Sequence, residues 1–315
     1  NQKKKKKKGF AYSAPAAIDQ ALRAVAQGPR HRVNANFFIF PQDVPPAPPE
    51  AVAAAWAVLQ PYVPNDVACP SVQAPHAPDL AEQLAAVWPH ADTLACVTFH
   101  FGTPPASVVE QAHSHGLCVG ATATSAAELA AIRSAGCDFA VVQGSEAGGH
   151  RGTFAPAAAP DPAWPSMLAL LRECHDGVFP LVAAGGIMDG ADAQAALQAG
   201  AAAVQMGTAF LTTVESGLAA EHKAALLAAQ MASEFTRAYS GRLARGLGTP
   251  FVRAMRSSAA ILPFPQQNQL TSQVRARCPQ LQPIWAGAHF ARCPPAGTTT
   301  AQLINALAPR LKRKE

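Results

Sequence analysis

A chain of 315 residues, 49% hydrophobic and 14% charged, has the composition of ordinary globular material and can fill one barrel-sized domain or two smaller ones. No apolar run reaches the roughly 18 residues of a membrane-spanning helix and nothing reads as a secretory signal, which sets aside a helical membrane protein and predicts a soluble, cytoplasmic one. The formal charge of +5 belongs to the run Lys3 to Lys8; without it 19 basic residues face 20 acidic ones, and no basic patch with interleaved aromatics follows, so neither nucleic acid nor a membrane is an expected partner.

Residues 1–8 read as a basic tail, disordered or artificial. The pattern beyond it is a short apolar run, a glycine-bearing loop and an Ala/Leu-rich segment, repeated. Strands are predicted at 33–39, 93–99, 117–121, 139–142, 180–183 and 202–206. Helices are predicted at about 104–115, 125–135, 163–176 and 190–199. The five prolines within 41–49 make a stiff surface loop before a helix near 50–60. Ser125 followed by Glu128 is a capping box opening the second of those four helices. Segments 134–144 and 198–207 repeat one order: helix end, glycine stop, buried strand, glutamine, glycine. After about 215 the alternation stops. Helical runs near 215–232 and 234–241, Pro- and Gln-rich text at 263–283 and a helix near 299–308 read as a helical excursion over the mouth of the preceding domain.

Strands alternating with helices imply a parallel sheet with right-handed crossovers. A G-x-G-x-x-G fingerprint opening the first helix is absent, and glycine loops instead follow several consecutive strands, which favours a (β/α)8 TIM-type barrel over an open doubly wound sheet. The expected division is 1–8 tail, 9–214 barrel and 215–315 C-terminal region.

The seven cysteines are scattered without a C-x-x-C pair, as expected of reduced thiols in a cytosol, and Cys96 and Cys118 read as small core residues. No metal site is predicted, because His113 and His115 lack a third ligand.

Two adjacent units end in glycines where barrels bind phosphate: Gly185-Gly186 and Gly207-Thr208. Backbone amides there can converge on a phosphoryl group without a lysine. The preceding unit carries Gln143 to Gly152 (QGSEAGGHRG), a loop with four glycines presenting His150. Glycine permits close backbone approach to a planar ligand, and histidine moves protons near neutral pH. FMN suits this arrangement. Pyridoxal phosphate does not, since outside the tail the only lysines are Lys223, Lys312 and Lys314.

With AAGGIMDG at 183–190, VQMGTA at 204–209, FHFG at 99–102, ATAT at 121–124, NANFF at 34–38 and SGRLARG at 240–246, the QGSEAGGHRG loop makes the chain similar to the nitronate monooxygenases, formerly 2-nitropropane dioxygenases. The resemblance runs through about 9–305 and implies an FMN-containing barrel. It implies that His150 is catalytic, removing the substrate α-proton or positioning the anionic nitronate. Gly185, Gly186, Gly207 and Thr208 correspond to the phosphate loops, and Asn36, Thr122, Gln143 and Gly149 to contacts with the isoalloxazine or ribityl groups. The implied reaction converts an alkyl nitronate and O2 into a carbonyl compound and nitrite. Two alternatives stand beside it: an NAD(P)H-dependent FMN reductase of a quinone or enoyl thioester, and a non-catalytic remnant without a complete flavin site. A homodimer is left open. The family's opening strand, of the type P-I-I-Q-A-P-M, has no counterpart here, so about one βα unit is expected to be missing.

Overall fold

Residues 9–28, 32–256, 258–278 and 281–307 are described by the computed structural model; the lysine tail lies outside them. All six expected strands form: β1 (Val33–Phe38), β2 (Leu94–His100), β3 (Cys118–Ala123), β4 (Phe139–Gln143), β6 (Leu181–Ala184) and β7 (Ala203–Gln205), with β5 (Gly149–His150) set apart. The six build one parallel sheet in the order β1-β2-β3-β4-β6-β7. The helices are α1 (Pro15–Ala26), α2 (Pro49–Leu59), α3 (Leu80–Ala85), α4 (Ala106–Ser114), α5 (Ala126–Ser134), α6 (Met167–Cys174), α7 (Gly190–Gln198), α8 (Ala220–Ala228), α9 (Pro250–Met255), α10 (Gln266–Arg275) and α11 (Thr300–Leu307).

Side chains of a strand alternate between faces. One face carries Ala35, Phe37, Val97, Phe99, Val119, Ala121, Ala140, Val142, Leu181 and Ala183, all buried with Leu22, Ile132 and Leu170 of the flanking helices. The Val, Leu, Ile and Phe side chains among them are each worth up to about 1.5–3 kcal/mol on burial. The other face carries Asn34, Asn36, Thr98, His100, Thr122 and Gln143. The main core therefore lies between sheet and helices, and the polar face is left for a site. Among the described residues β1 and β7 do not pair with each other. Among the described residues the sheet is thus an arc of six strands, the six that the sequence pattern predicts, and the described residues before β1 form α1.

Two expectations are corrected. Cys96 and Cys118 are not core: Cys118 is exposed and Cys96 half-buried, since they pair across β2 and β3 on the polar face. The helix predicted at 234–241 is a hairpin, β8 (Ser233–Thr236) with β9 (Ala244–Leu247), and β9 also pairs antiparallel with β5. Pairing with the histidine loop overrides local helix propensity here, and Gly241 breaks any helix. Gly241 has φ +82°, and a Cβ on it would lie 2.4 Å from the Leu262 carbonyl oxygen. A second core joins Ala55 and Leu59 of α2 to Tyr239, Phe251, Met255 and Leu270.

Gly241→Ala combines a left-handed backbone with that collision and is expected to lower unfolding stability by at least about 1–3 kcal/mol. A urea midpoint equal to that of the parent protein would contradict this account of the hairpin turn.

Candidate active site

Parallel register lays the polar-face side chains in one band, with Asn36 opposite Thr98, Thr122 opposite Val141, and Gln143 opposite Ala184, which pairs in turn with Gln205. Asn34 Nδ2 donates to Thr98 Oγ1 (2.8 Å) and Thr98 Oγ1 donates to Asn36 Oδ1 (2.9 Å), tying β1 to β2. Over this band lie two adjoining cavities of about 250 and about 310 Å³. The larger is walled by Asn36, Phe38, Thr98, His100, Thr122 and His150; the smaller by Gly149, Gly185, Gly186, Gly207, Thr208, Trp285 and Gly287. Gln143, Gly148, Ala184 and Gln205 border both. All nine residues singled out from the sequence therefore meet in one place.

The loop bearing His150 is held at both ends by one buried side chain. Gln143 Nε2 donates to the His150 carbonyl (3.0 Å), and Gln143 Oε1 accepts from the Gly152 amide (2.8 Å). Arg151, 2% exposed, donates to the carbonyls of Gln143 (2.9 Å) and Thr124 (3.3 Å), its guanidinium 4.9 Å from the Trp164 ring centre. Glu146 shapes the loop: its Oε2 accepts from the Met167 amide (3.0 Å) at the start of α6. The capping box predicted on α5 forms only in half. Ser125 Oγ accepts from Glu128 N (3.3 Å), but the Glu128 carboxylate turns to the amides of Thr124 (2.6 Å) and Phe154 (2.7 Å) and pins the far end of the histidine loop.

The His150 ring is half-buried and enclosed by aromatics, its centre 5.6 Å from Phe38, 5.7 Å from Phe101 and 5.6 Å from Trp285. Burial pushes its pKa down to about 3, with His100, Arg242 and Arg275 adding to the fall. Burial likewise takes His100 to about 4, against the pull of its bond to the His150 carbonyl (3.2 Å). A carbonyl only accepts, so His100 Nε2 carries the hydrogen. His100 is thus a structural histidine that also faces the cavity. Both rings are neutral at neutral pH, and among the described residues no lysine or arginine lines either cavity.

At the glycine end, Gly185 and Gly186 have φ of +109° and +73°, and Gly149 and Gly207 have no heavy atom within 4 Å of where a Cβ would stand. Backbone is therefore bare to the cavity at these points. The first turn of α7 contributes less than expected, because the Asp189 side chain already accepts from the amides of Ala191 (2.8 Å) and Asp192 (3.1 Å) in a full capping box. Thr208 Oγ1 accepts from the Gly287 amide (2.9 Å), which leaves its hydrogen free to donate.

The C-terminal region supplies residues that sequence reasoning missed: Trp285, Gly287 and His289 in the smaller cavity, and Ser240 and Phe264 around His150. The SGRLARG string marked Ser240; nothing local marked the others. His113 bonds Asp138 (3.0 Å) and His115 stacks on Trp88, and among the described residues no cluster of three or more His, Cys, Asp or Glu could hold a metal.

Comparison with known proteins adds an independent line. A model of the nitronate monooxygenase family matches residues 74–309. The chain is 37% identical to a "probable nitronate monooxygenase" of Staphylococcus aureus over 219 residues, 66% of this chain and 61% of that protein. It is 45% identical to a nitronate monooxygenase of Paraburkholderia phytofirmans over 160 residues, 50% of this chain and 43% of that one. The match thus spans less than two thirds of either relative. Among solved structures, nitroalkane oxidase from Streptomyces ansochromogenes is 30% identical with a TM-score of 0.84, over 96% of this chain and 87% of its own. FabK from Thermotoga maritima shares the fold at 20% identity and a TM-score of 0.67, over 94% and 81%.

Folded His150 and His100 resist protonation below the ordinary 6.5 that an unfolded chain shows. As pH falls from 6.5 toward 4 the unfolded state therefore binds the extra protons, and their contribution to stability, complete above 6.5, is lost in that window. Denaturant midpoints should fall between pH 7.5 and 5, and His150→Asn should flatten that fall; an equal slope in both proteins would refute the burial argument.

Proposed function

Because the chain belongs to the nitronate monooxygenase family, we propose that it oxidises alkyl nitro compounds with O2, taking a nitronate or its parent nitroalkane to a carbonyl compound and nitrite. The observation that carries this reading is the pairing of a neutral histidine in an aromatic enclosure with a glycine-lined hollow directly beside it. The two cavities together reach the range of about 300–1,000 Å³ common for small-ligand and cofactor sites.

The residues fit FMN. Gly185, Gly186, Gly207 and the free Thr208 hydroxyl would hold its phosphoryl group through amides and one hydroxyl. Asn36, Thr122, Gln143 and Gly149 would line its ring and ribityl chain. Bound there, FMN supplies the electron transfer between substrate and O2. The protein's own part is the proton. Neutral His150 can take the α-proton of a nitroalkane, and the nitronate left behind gives the imidazolium the anionic neighbour that the cavity wall does not provide. The phenyl and indole rings around it exclude water and suit a short alkyl substituent.

The six-stranded arc, apolar toward its helices and polar within, is read as the larger part of a (β/α)8 barrel, with the C-terminal region as a cover over its mouth. Seven free cysteines and the absence, among the described residues, of a helix able to cross a membrane support a place in a reducing cytosol.

The purified protein is expected to show flavin absorbance and to bleach anaerobically with a nitroalkane or nitronate, faster than with NADH or NADPH. A colourless protein that takes up no added FMN, or bleaching by the nicotinamides alone, would overturn this reading. His150→Asn should keep the flavin but lose about 10²–10⁴-fold in turnover of the neutral nitroalkane, with a smaller loss on preformed nitronate.

A further inference from the structure

Ser240 stands at the tip of the hairpin between β8 and β9, next to Gly241, and reaches His150 from outside the strand that carries it. His150 Nε2 and Ser240 Oγ are 2.8 Å apart. The same Oγ lies 3.1 Å from the Arg242 carbonyl oxygen and 3.3 Å from the Arg242 amide. A hydroxyl has one hydrogen and two acceptor positions. The Arg242 carbonyl can only accept and the Arg242 amide can only donate, so the serine hydrogen goes to the carbonyl and one lone pair goes to the amide. What remains toward His150 is a lone pair, and the hydrogen between them must sit on Nε2.

We propose that Ser240 is a positioning residue that fixes His150 as the Nε2–H tautomer, leaving Nδ1 as the atom that exchanges a proton with substrate. The tautomer stands on the hydrogen-bond inventory alone; the role of Nδ1 rests on the reading of His150 as the base. The opposite arrangement, a serine donating to Nε2, would abandon the Arg242 carbonyl, and Nδ1 bonds to none of the described residues. The loop is also locked in the pose that this bond requires. The His150 carbonyl receives Gln143 Nε2 and His100 Nε2, while β5 pairs His150 with Ala244 of the same hairpin. Arg242 holds the hairpin from its other side, donating to the carbonyls of Thr153 and Phe154 with its guanidinium 3.8 Å from the Phe101 ring centre.

The test is imidazole 15N–1H correlation spectroscopy on histidine-labelled protein with its cofactor as purified, the His150 signals being identified by their loss in His150→Asn. The Nε2–H pattern is expected at pH 7, giving way to a tautomer mixture in Ser240→Ala and returning in Ser240→Thr. Turnover of a nitroalkane should follow, falling about ten- to a hundred-fold in the alanine variant, below the 10²–10⁴ range for loss of an acid–base group, and recovering in the threonine variant. An Nδ1–H pattern in the parent protein overturns the proposal without any variant being needed, as does a folded alanine variant with the parent's pattern. Should the tautomer shift while turnover holds, the assignment of Nδ1 to proton transfer falls and His150 is not the base, while Ser240 keeps its hold on the tautomer.

Discussion

The buried Gln143 amide is the interaction on which the candidate site depends. It ends β4, donates to the carbonyl of His150 and accepts from the amide of Gly152, so one side chain spans the loop it launches. Its own carbonyl is claimed by Arg151 from that loop. An amide 7% exposed with both ends satisfied costs little to bury, whereas leaving the Gly152 amide orphaned would cost about 1–3 kcal/mol. The glycines on either side make the clamp possible. A Cβ on Gly148 would lie 2.6 Å from the Gly287 nitrogen, and one on Gly152 would lie 2.7 Å from the His100 ring. The loop is packed too closely for any larger residue at these two points.

Around this clamp, cations do the work of struts. Arg151, Arg242 and Arg245 donate mainly to backbone carbonyls and lie over Trp164, Phe101 and Phe235. Burial lowers the pKa of Arg151 and Arg242 to about 10, which still leaves both charged. Placed behind the cavity wall, Arg242 adds to the forces that keep His150 neutral without offering a fixed counter-ion to an anion in the cavity.

The six strands of the sheet were legible because each is a short apolar run stopped by glycine or a turn, and the helices between them by length and alanine content. The nine candidate residues were chosen from glycine placement and from the resemblance, and they converge on one pair of cavities. The hairpin at 233–247 was not legible, since its pairing partner is a two-residue strand some ninety positions earlier. The aromatic enclosure was hidden for the same reason: Phe38, Phe101, Phe264 and Trp285 come from four separate segments and share no spacing. Cys96 and Cys118 misled because an apolar run does not declare which of its two faces is buried.

That last error points to how the architecture serves the site. In most proteins a strand's polar face meets solvent and its apolar face meets the core. Here the apolar face lies outward under the helices, so the inner face is free to carry asparagine, threonine, glutamine and histidine without cost to the main core. Polar side chains on neighbouring strands then satisfy one another laterally, as Asn34, Thr98 and Asn36 do. The result is a polar floor cross-linked between β1 and β2. The roof, built from the hairpin and from Trp285, Gly287 and His289, comes from the C-terminal region, and it is the roof that holds Ser240 against the imidazole. Floor and roof are therefore separable in physical terms: the sheet determines what can be bound, and the hairpin determines which nitrogen of His150 faces it with a lone pair.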